Sequence, residues 1–278
     1  MSAVNRSACD MKVVVVTGST RGIGFALADS LLRLGCSVAV SGRTDEGVGR
    51  AVNDLSSRHD RERVFGSTCD VRHPGQLQTL WDRAKDRFGP IDIWINNAGL
   101  SGRQMSVWRS DPVELKEVVD TNLLGVIYGS QVAVRGMLEQ GAGSIYNMEG
   151  MGADGGMHEG VIPYGMTKYG VHYFTKGLAR EAKGTPLIVG SIRPGMVATE
   201  MLTAQYRGHP EEWERVRRIF NILANRPEVV TPWLAKRILE NRRTGAVISY
   251  TRPWTLLFRF LSAPLVKRDA FEGFDPNA

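Results

Sequence analysis

Tyr164 and Lys168 stand four residues apart, a spacing that places two side chains on one face of a helix. A tyrosine hydroxyl has an unperturbed pKa of about 10, and a neighbouring ammonium group favours its ionised form. Such a pair can deliver a proton to a carbonyl oxygen near neutral pH. Because the same spacing occurs in ordinary surface pairs, the interpretation depends on the elements that would position these residues.

A glycine-rich turn near the beginning of the chain could bind a phosphate group. It follows Val13–Val16, four β-branched residues typical of a buried strand, and precedes residues 25–32, which have helical spacing. Small residues let backbone N–H groups approach a pyrophosphate, and the helix dipole favours its charge. A tight turn without a ligand is the alternative. The strand–turn–helix order favours a cofactor loop, whose predicted residues are Gly18, Ser19, Thr20, Arg21, Gly22, Ile23 and Gly24.

The second predicted strand, Ser37–Gly42, is followed by Arg43, with no acidic residue before Asp45. In dinucleotide-binding folds an acid at this point accepts from the adenosine 2′-hydroxyl, whereas an arginine suits a 2′-phosphate. Arg21 lies in the glycine-rich turn, and arginine–phosphate pairs are strong and geometrically selective. We therefore predict NADP(H) rather than NAD(H). Arg43 taken alone could equally be a surface residue.

The next two predicted strands also end in residues that could face a ligand. Asp70 and Val71 follow the third strand, and Asn97, Ala98 and Gly99 follow the fourth. The carboxyl ends of parallel strands form the ligand-binding edge of such a sheet. We therefore assign these residues to the cofactor site. A turn cap is the alternative for Asp70.

The chain resembles the short-chain dehydrogenase/reductase family over roughly residues 11–250. The resemblance implies an α/β, doubly wound Rossmann fold with a seven-stranded parallel sheet, helices on both faces, and homodimers or homotetramers. The motifs that match in order and spacing are Thr17-Gly18-x3-Gly22-x-Gly24, Asn96-Asn97-Ala98-Gly99, Asp120-Thr121-Asn122, Tyr164-x3-Lys168 and Arg193-Pro194-Gly195-Met196-Val197-x-Thr199.

The resemblance also implies roles for the matched residues. Tyr164 would donate a proton, Lys168 would lower its pKa and hold the nicotinamide ribose, and Asn122 would hold a water in the proton relay. Asn122 could instead satisfy neighbouring backbone groups. A substrate lid would occupy about residues 199–226, after a segment that covers the nicotinamide and pyrophosphate through Pro194, Gly195, Val197 and Thr199.

The family commonly has a serine two or three residues after the position of Asn147, but no serine lies between Ser144 and Tyr164. We predict that backbone N–H groups of residues 150–156 polarise the carbonyl in its place. Glu149 and Asp154 are weaker candidates, because an ionised carboxylate cannot donate a hydrogen bond.

Three segments resemble the chlorophyll b reductase branch of the family, which has Asn-Met-Asp-Gly-x-Gly where most members have the serine. They are Asn147-Met148-Glu149-Gly150-x-Gly152, residues 194–202 and residues 222–228. We therefore predict an NADP(H)-dependent oxidoreductase that reduces a carbonyl, such as the formyl group of chlorophyll b on its large tetrapyrrole or of a similar bulky aldehyde. The alternatives are an unrelated ketone or alcohol substrate, or an NADP(H)-binding sensor or scaffold without turnover.

Composition narrows the remaining possibilities. The chain has 278 residues, 42% of them hydrophobic, and a net charge of +6. Its arginines are scattered and no basic run is interleaved with aromatic residues, so we expect no nucleic-acid partner. Cys9, Cys36 and Cys69 have neither metal-ligand spacing nor even pairing, which indicates no metal site and a reducing compartment. With no visible secretory signal, we predict a cytoplasmic protein.

We divide the chain into an N-terminal extension (1–10), one Rossmann domain (11–250) and a C-terminal tail (251–278). The tail alternates large apolar residues with basic ones, as in an amphipathic segment. It could lie on a membrane surface, or pack on its own domain or across a dimer. Because the tail is distant in sequence from every cofactor motif, we expect it to affect assembly or substrate access rather than cofactor binding.

Overall fold

The computed structural model describes residues 12–251, 253–262 and 268–276. The predicted extension 1–10 and Cys9 lie outside these ranges. Within them, seven parallel strands form one sheet in the order β3-β2-β1-β4-β5-β6-β7. The strands are β1 (Val13–Val16), β2 (Ser37–Gly42), β3 (Val64–Thr68), β4 (Ile93–Asn96), β5 (Gly143–Met148), β6 (Leu187–Arg193) and β7 (Val247–Ser249). The predicted fold class is confirmed.

Helices cover both faces of the sheet, as expected. Alternate side chains of β1 enter two separate cores: Val14 and Val16 pack with Leu27 and Leu234, whereas Val13 and Val15 pack with Trp81 among others. The helices are α1 (Gly22–Arg33), α2 (Asp45–Ser56), α3 (Pro74–Phe88), α4 (Pro112–Val119), α5 (Gly125–Gln140), α6 (Ile162–Glu181), α7 (Glu200–Thr203), α8 (Pro210–Leu223), α9 (Pro227–Glu240) and α10 (Pro253–Ser262).

The strand order reverses between β1 and β4, which creates a crevice at their carboxyl ends. The glycine-rich turn follows β1 and the segment Asn97-Ala98-Gly99 follows β4, so both line this crevice. They lie in close contact: a Cβ atom on Gly18 would lie 2.6 Å from Ala98 Cα. The fold therefore brings together two motifs that are about eighty residues apart.

The helical stretch from Pro112 to Gln140 is not one continuous α-helix. Asp120–Leu124 form a π-helical segment between α4 and α5, and this segment contains Asn122. Such segments within α-helices frequently occur at functional sites. Periodicity alone did not predict the change, because apolar spacing hardly differs across one widened turn.

The lid packs against the C-terminal tail. Trp213 on α8 is buried, with ring centroids 5.1 Å from Phe271 and 4.9 Å from Phe274, and Tyr206 and Phe220 complete the cluster. The described part of the tail thus packs on its own domain, one of the predicted alternatives. In the described ranges, no helix combines the length and the hydrophobicity needed to cross a bilayer.

Candidate active site

The glycine-rich turn has a defined conformation that leaves backbone N–H groups unbonded. Gly18 and Gly22 adopt φ angles of +60° and +59°, a region that side chains other than glycine rarely occupy. No side chain caps the start of α1, so its first N–H groups remain available to an anion. Ser19 is tied down instead, since its hydroxyl donates to Val16 O (2.6 Å) and accepts from Ser41 N (3.0 Å).

Asn97 braces this turn, as the sequence predicted. Its side-chain Nδ2 donates to the carbonyls of Thr17 (2.9 Å) and Gly18 (3.0 Å). In return, the hydroxyl of Thr17 accepts from the N–H groups of Asn97 and Ala98. The ends of β1 and β4 are therefore locked together at the crevice.

Both arginines predicted to bind a 2′-phosphate are exposed at the carboxyl edge of the sheet. Arg21 Nη1 donates to Glu200 Oε2 at 2.6 Å, which links the glycine-rich turn to the first residue of α7. Arg43 follows β2 directly. Sequence reasoning missed Glu200, because the two partners are 179 residues apart.

Asp70 caps a turn, which was the alternative to its assignment to the cofactor site. Its Oδ1 accepts from Arg72 N at 3.0 Å, and its Oδ2 pairs with Arg72 Nη2 at 2.6 Å. The hydrogen bonds from Arg72 hold the pKa of this carboxyl below its usual range. Val71 is buried against Gly125 at the start of α5. The contact of these residues with a cofactor stays a prediction.

The Asn122 side chain is fully buried and held by protein groups. Its Oδ1 accepts from Leu100 N (2.7 Å), and its Nδ2 donates to Leu100 O (2.8 Å) and to Thr167 Oγ1 (3.1 Å). The alternative of an amide that satisfies neighbouring backbone is thus what the structure shows. Asn122 fixes the segment after Gly99 against α6.

Tyr164 and Lys168 lie on one face of α6, with Lys168 Nζ 5.7 Å from the centre of the tyrosine ring. Lys168 is 4% exposed and donates to Met148 O at 3.1 Å. Burial lowers the pKa of Lys168 to about 8, although Glu149 opposes this shift, and burial raises the pKa of Tyr164 to about 12. Loss of hydration raises the Tyr164 pKa in the cofactor-free chain, and its lowering by Lys168 during the reaction stays a prediction.

Gly150 occupies the place beside the Tyr164 hydroxyl. A Cβ atom on Gly150 would overlap Tyr164 Oη and lie 3.3 Å from its Cζ and 3.4 Å from Lys168 Cε. Two residues further, Gly152 lies so close to α6 that its Cβ would be 2.6 Å from Gly165 Cα. The glycines therefore let the loop after β5 approach the catalytic face of α6.

Several amides of this loop are already used within it. Ala153 N donates to Gly150 O and Gly155 N donates to Gly152 O, while Gly156 N donates to the Asp154 carboxylate. Within the described part of the chain, the N–H groups of residues 150–152 have no such bond. Among the N–H groups expected to replace the serine, those of residues 150–152 therefore stay available, and Gly150 lies beside the Tyr164 hydroxyl.

The side chain of Glu149 points away from the tyrosine and is fully buried. It accepts from Arg193 Nε and from His172 Nδ1, the latter at 2.9 Å. Sequence reasoning missed His172, although a signal was present: Tyr164, Lys168 and His172 follow one another at four-residue intervals on α6.

The segment after β6 packs over the glycine-rich turn, as the resemblance implied. Thr199 Cγ2 lies 3.6 Å from the position of a Cβ atom on Gly22. Gly195 adopts a φ of +76°, and a Cβ atom there would overlap Thr251 Oγ1, so a larger residue would clash. Pro194 and Val197 are among the residues predicted to lie beside the nicotinamide. Val197 is buried and forms a β-bridge with Asn225.

Asn225 joins this segment to the tail. Its backbone pairs with Met196 O (3.0 Å) and Ala198 N (2.9 Å). Its Oδ1 accepts from Arg259 Nη2 (2.8 Å) and Arg268 Nη2 (3.2 Å). Folding therefore brings two tail arginines close to that segment although they are distant from it in sequence, and the expected role of the tail in assembly or substrate access stays a prediction.

The sheet, the glycine-rich turn and the Tyr164–Lys168 pair define a Rossmann-fold oxidoreductase. The chain belongs to the short chain dehydrogenase family, whose model matches residues 12–209. It is 36% identical over 231 residues to chlorophyll(ide) b reductase NOL of Oryza sativa subsp. japonica, covering 81% of this chain and 66% of that protein. It is 32% identical over 266 residues to the probable chlorophyll(ide) b reductase NYC1 of the same plant, covering 90% of this chain and 52% of that protein.

The chain thus spans between about half and two thirds of these plant proteins. Among solved structures it is similar to a variant of actinorhodin polyketide ketoreductase with NADPH. The TM-score is 0.78 and the identity 29%, over 88% of this chain and 97% of that one.

Proposed function

We propose that this chain is an NADP(H)-dependent reductase that converts a carbonyl group to an alcohol, with Tyr164 as the proton donor. The observation that carries the proposal is the placement of half-buried Tyr164 and buried Lys168 on one face of α6. Gly99 lies beside them: a Cβ atom there would be 3.6 Å from Lys168 Nζ. The pair therefore adjoins the crevice where the glycine-rich turn lies.

The residues at the crevice fit a nicotinamide dinucleotide. Uncapped N–H groups at the start of α1 suit a pyrophosphate, and the missing side chain of Gly18 lets the turn pack against Ala98. Arg21 and Arg43 are exposed at the edge where the adenosine 2′-phosphate would lie, which supports NADP(H) over NAD(H). The similar ketoreductase structure contains NADPH.

The bound cofactor would supply the hydride, and this chain's own groups would handle the proton. The raised pKa keeps Tyr164 protonated before the reaction, so its hydroxyl can donate to the carbonyl oxygen. The Lys168 ammonium group then stabilises the tyrosinate. The N–H groups of residues 150–152 would polarise the carbonyl. Because protein groups hold the Asn122 side chain, a water in the proton relay would bind to its main-chain carbonyl.

A bulky aldehyde is the substrate class that we propose, with the formyl group of chlorophyll(ide) b as the first candidate. The support comes from the names of the two plant relatives and from the resemblance of the segments around Gly150 and Asn225 to the chlorophyll b reductase branch. The lid aromatic residues Trp213 and Phe220 pack against each other and the tail, so they do not define the pocket. Met201 is exposed on the same lid and remains available to a large apolar substrate.

Assembly and location are further parts of this proposal. Met166, Tyr169 and Tyr173 are exposed along α6, which supports a homodimer or homotetramer buried across that helix. Trp254 and Phe258 are exposed on α10, which supports peripheral membrane contact. Cys36 and Cys69 are buried and unpaired, which fits a reducing location such as the cytoplasm.

NADPH consumption with chlorophyllide b and a panel of simpler aldehydes and ketones tests the proposal. Tyr164→Phe removes only the hydroxyl, so turnover should fall by about 10²–10⁴-fold while NADPH affinity stays within about twofold. Tyr250→Phe is the matched control, because the Tyr250 ring packs against Trp233, outside the proposed site and the proposed interface. Full turnover by the Tyr164 variant would refute the mechanism. A wild-type chain that binds NADPH but reduces no carbonyl would favour a sensor or scaffold.

A further inference from the structure

Glu149 is a buried carboxylate for which the proposed reaction has no direct use. It follows β5 immediately and precedes Gly150, the residue that contacts the Tyr164 hydroxyl. Its side chain is 0% exposed, and burying an ionised carboxylate is costly unless it is paired and hydrogen-bonded. A buried charge with this free-energy cost is expected to act on a specific group nearby.

Two side chains hold the Glu149 carboxylate in one orientation. Arg193, at the end of β6, donates through Nε to Oε2, and His172 on α6 lies 2.9 Å from Oε1 through Nδ1. Because a carboxylate only accepts hydrogen bonds, Nδ1 must carry a proton here. The 3.3 Å approach of Arg193 Nη2 to the same Nδ1 is therefore a packing contact rather than a hydrogen bond.

This cluster adjoins Lys168. Lys168 Nζ donates to the carbonyl of Met148, the residue before Glu149, and His172 lies one turn beyond Lys168 on α6. The titratable or charged groups around Lys168 are Tyr164 and His172 on its own helix, Glu149 after β5 and Arg193 on β6. Glu149 is the only anionic carboxylate among these four described groups.

We propose that Glu149 is the fixed counter-charge that keeps Lys168 an ammonium group, with Arg193 and His172 holding the carboxylate in place. Glu149 is then a positioning residue, which acts on Tyr164 through Lys168. The inference rests on the proposed function only for the role of Lys168. Burial lowers the pKa of Lys168 to about 8 while Glu149 raises it, so the ammonium form depends on this carboxylate at working pH.

Glu149→Gln is the decisive change, because it keeps the shape of the side chain and removes its charge. We expect the pKa of Lys168 to fall by about one unit, the low end of what a nearby opposite charge produces. At pH 8 the ammonium fraction would then drop from about one half to about one tenth. Glu149→Asp keeps the charge and should restore most of the shift.

NMR titration of ¹³Cε-labelled lysines in the cofactor-free protein measures this pKa directly, with Lys168→Arg to assign the signal. Asp154→Asn is the control, since Asp154 lies on the same loop, is exposed and should leave the Lys168 pKa unchanged. If the single Glu149→Gln variant does not fold, a double variant that also carries Arg193→Gln removes both charges of the ion pair together. A smaller fall is expected there, because the repulsive charge of Arg193 is removed together with the attractive charge of Glu149.

An unchanged Lys168 pKa in a folded Gln variant would overturn the proposal. Where a substrate is turned over, the alkaline limb of the kcat profile should move to lower pH in Glu149→Gln and return in Glu149→Asp. A uniform loss of kcat without that movement would show a purely structural role. Because the titration needs no turnover, failure of the proposed reduction would leave this test intact.

Discussion

Replacing Gly150 by alanine should displace the Tyr164 hydroxyl. Gly150 does not adopt a positive φ, so an alanine there would not strain the backbone. Its Cβ, however, would come closer than 3.0 Å to Tyr164 Oη, a separation that real Cβ atoms essentially never show. The same Cβ would also lie 3.4 Å from Lys168 Cε and 3.3 Å from Tyr164 Cζ, so it would be crowded by both side chains. The hydroxyl must therefore give way.

The size of the effect follows from that overlap. Relief to an ordinary contact requires the hydroxyl to move by roughly 0.5–1 Å, and a displacement of about 1 Å at a reacting group can cost about 10²-fold in rate. We expect kcat/KM for Gly150→Ala to fall by about 10–10²-fold, less than for Tyr164→Phe. Gly150→Ser carries the same Cβ, so restoring the serine at this position should not restore activity.

Steady-state reduction of a carbonyl substrate by NADPH, together with NADPH binding by fluorescence, measures this effect. NADPH affinity should remain within about twofold, because Gly150 lies outside the glycine-rich turn. Gly177→Ala is the matched control: it lies on α6, and a Cβ there meets nothing within 4 Å. If Gly150→Ala or Gly150→Ser matched the wild-type kcat/KM, the tyrosine would not be confined as described.

Arg43→Asp should weaken NADPH binding by about tenfold to a hundredfold and favour NADH, because it replaces a phosphate partner by a ribose acceptor; fluorescence titration of both cofactors checks this. Lys168 has a pKa of about 8 when folded against an ordinary 10.5, so the unfolded chain binds more protons between these values. Its contribution to the free energy of unfolding should therefore rise by about 3 kcal/mol from pH 8 to 10.5 and be lost as the pH falls through 8. The difference between wild type and Lys168→Met in urea titrations measures it, and a pH-independent difference would contradict the buried ammonium. Arg268→Gln should speed proteolysis within the lid, because Arg268 donates to the carbonyls of Ile222 and Ala224, whereas exposed Arg218→Gln should not.

Local patterns predicted the sheet and the crevice well, because both depend on short-range chemistry. A run of four β-branched residues followed by glycines predicts a buried strand and a tight turn. In the structure, Val13–Val16 form the buried strand β1. Helical spacing put Tyr164 and Lys168 on one face, and the structure agrees. The second predicted strand, Ser37–Gly42, likewise has the same bounds in the structure as β2.

What the sequence did not predict depends on contacts between distant residues or on desolvation. Burial raises the Tyr164 pKa in the cofactor-free chain, and burial depth cannot be read from a four-residue spacing. The ion pair between Arg21 and Glu200 and the bonds from Arg259 to Asn225 join segments far apart in the chain. The π-helical turn at Asn122 has no distinctive composition. Each of these features exists only after the chain has folded.

The aromatic contacts of the lid have a consequence for the order in which the molecule is made. Trp213 packs against Phe271 and Phe274, and Arg268 donates to the carbonyls that end α8. On a ribosome, the glycine-rich turn and the Tyr164 helix emerge long before these partners are synthesised. The packing of α8 on the tail must therefore wait until residue 274 has been synthesised.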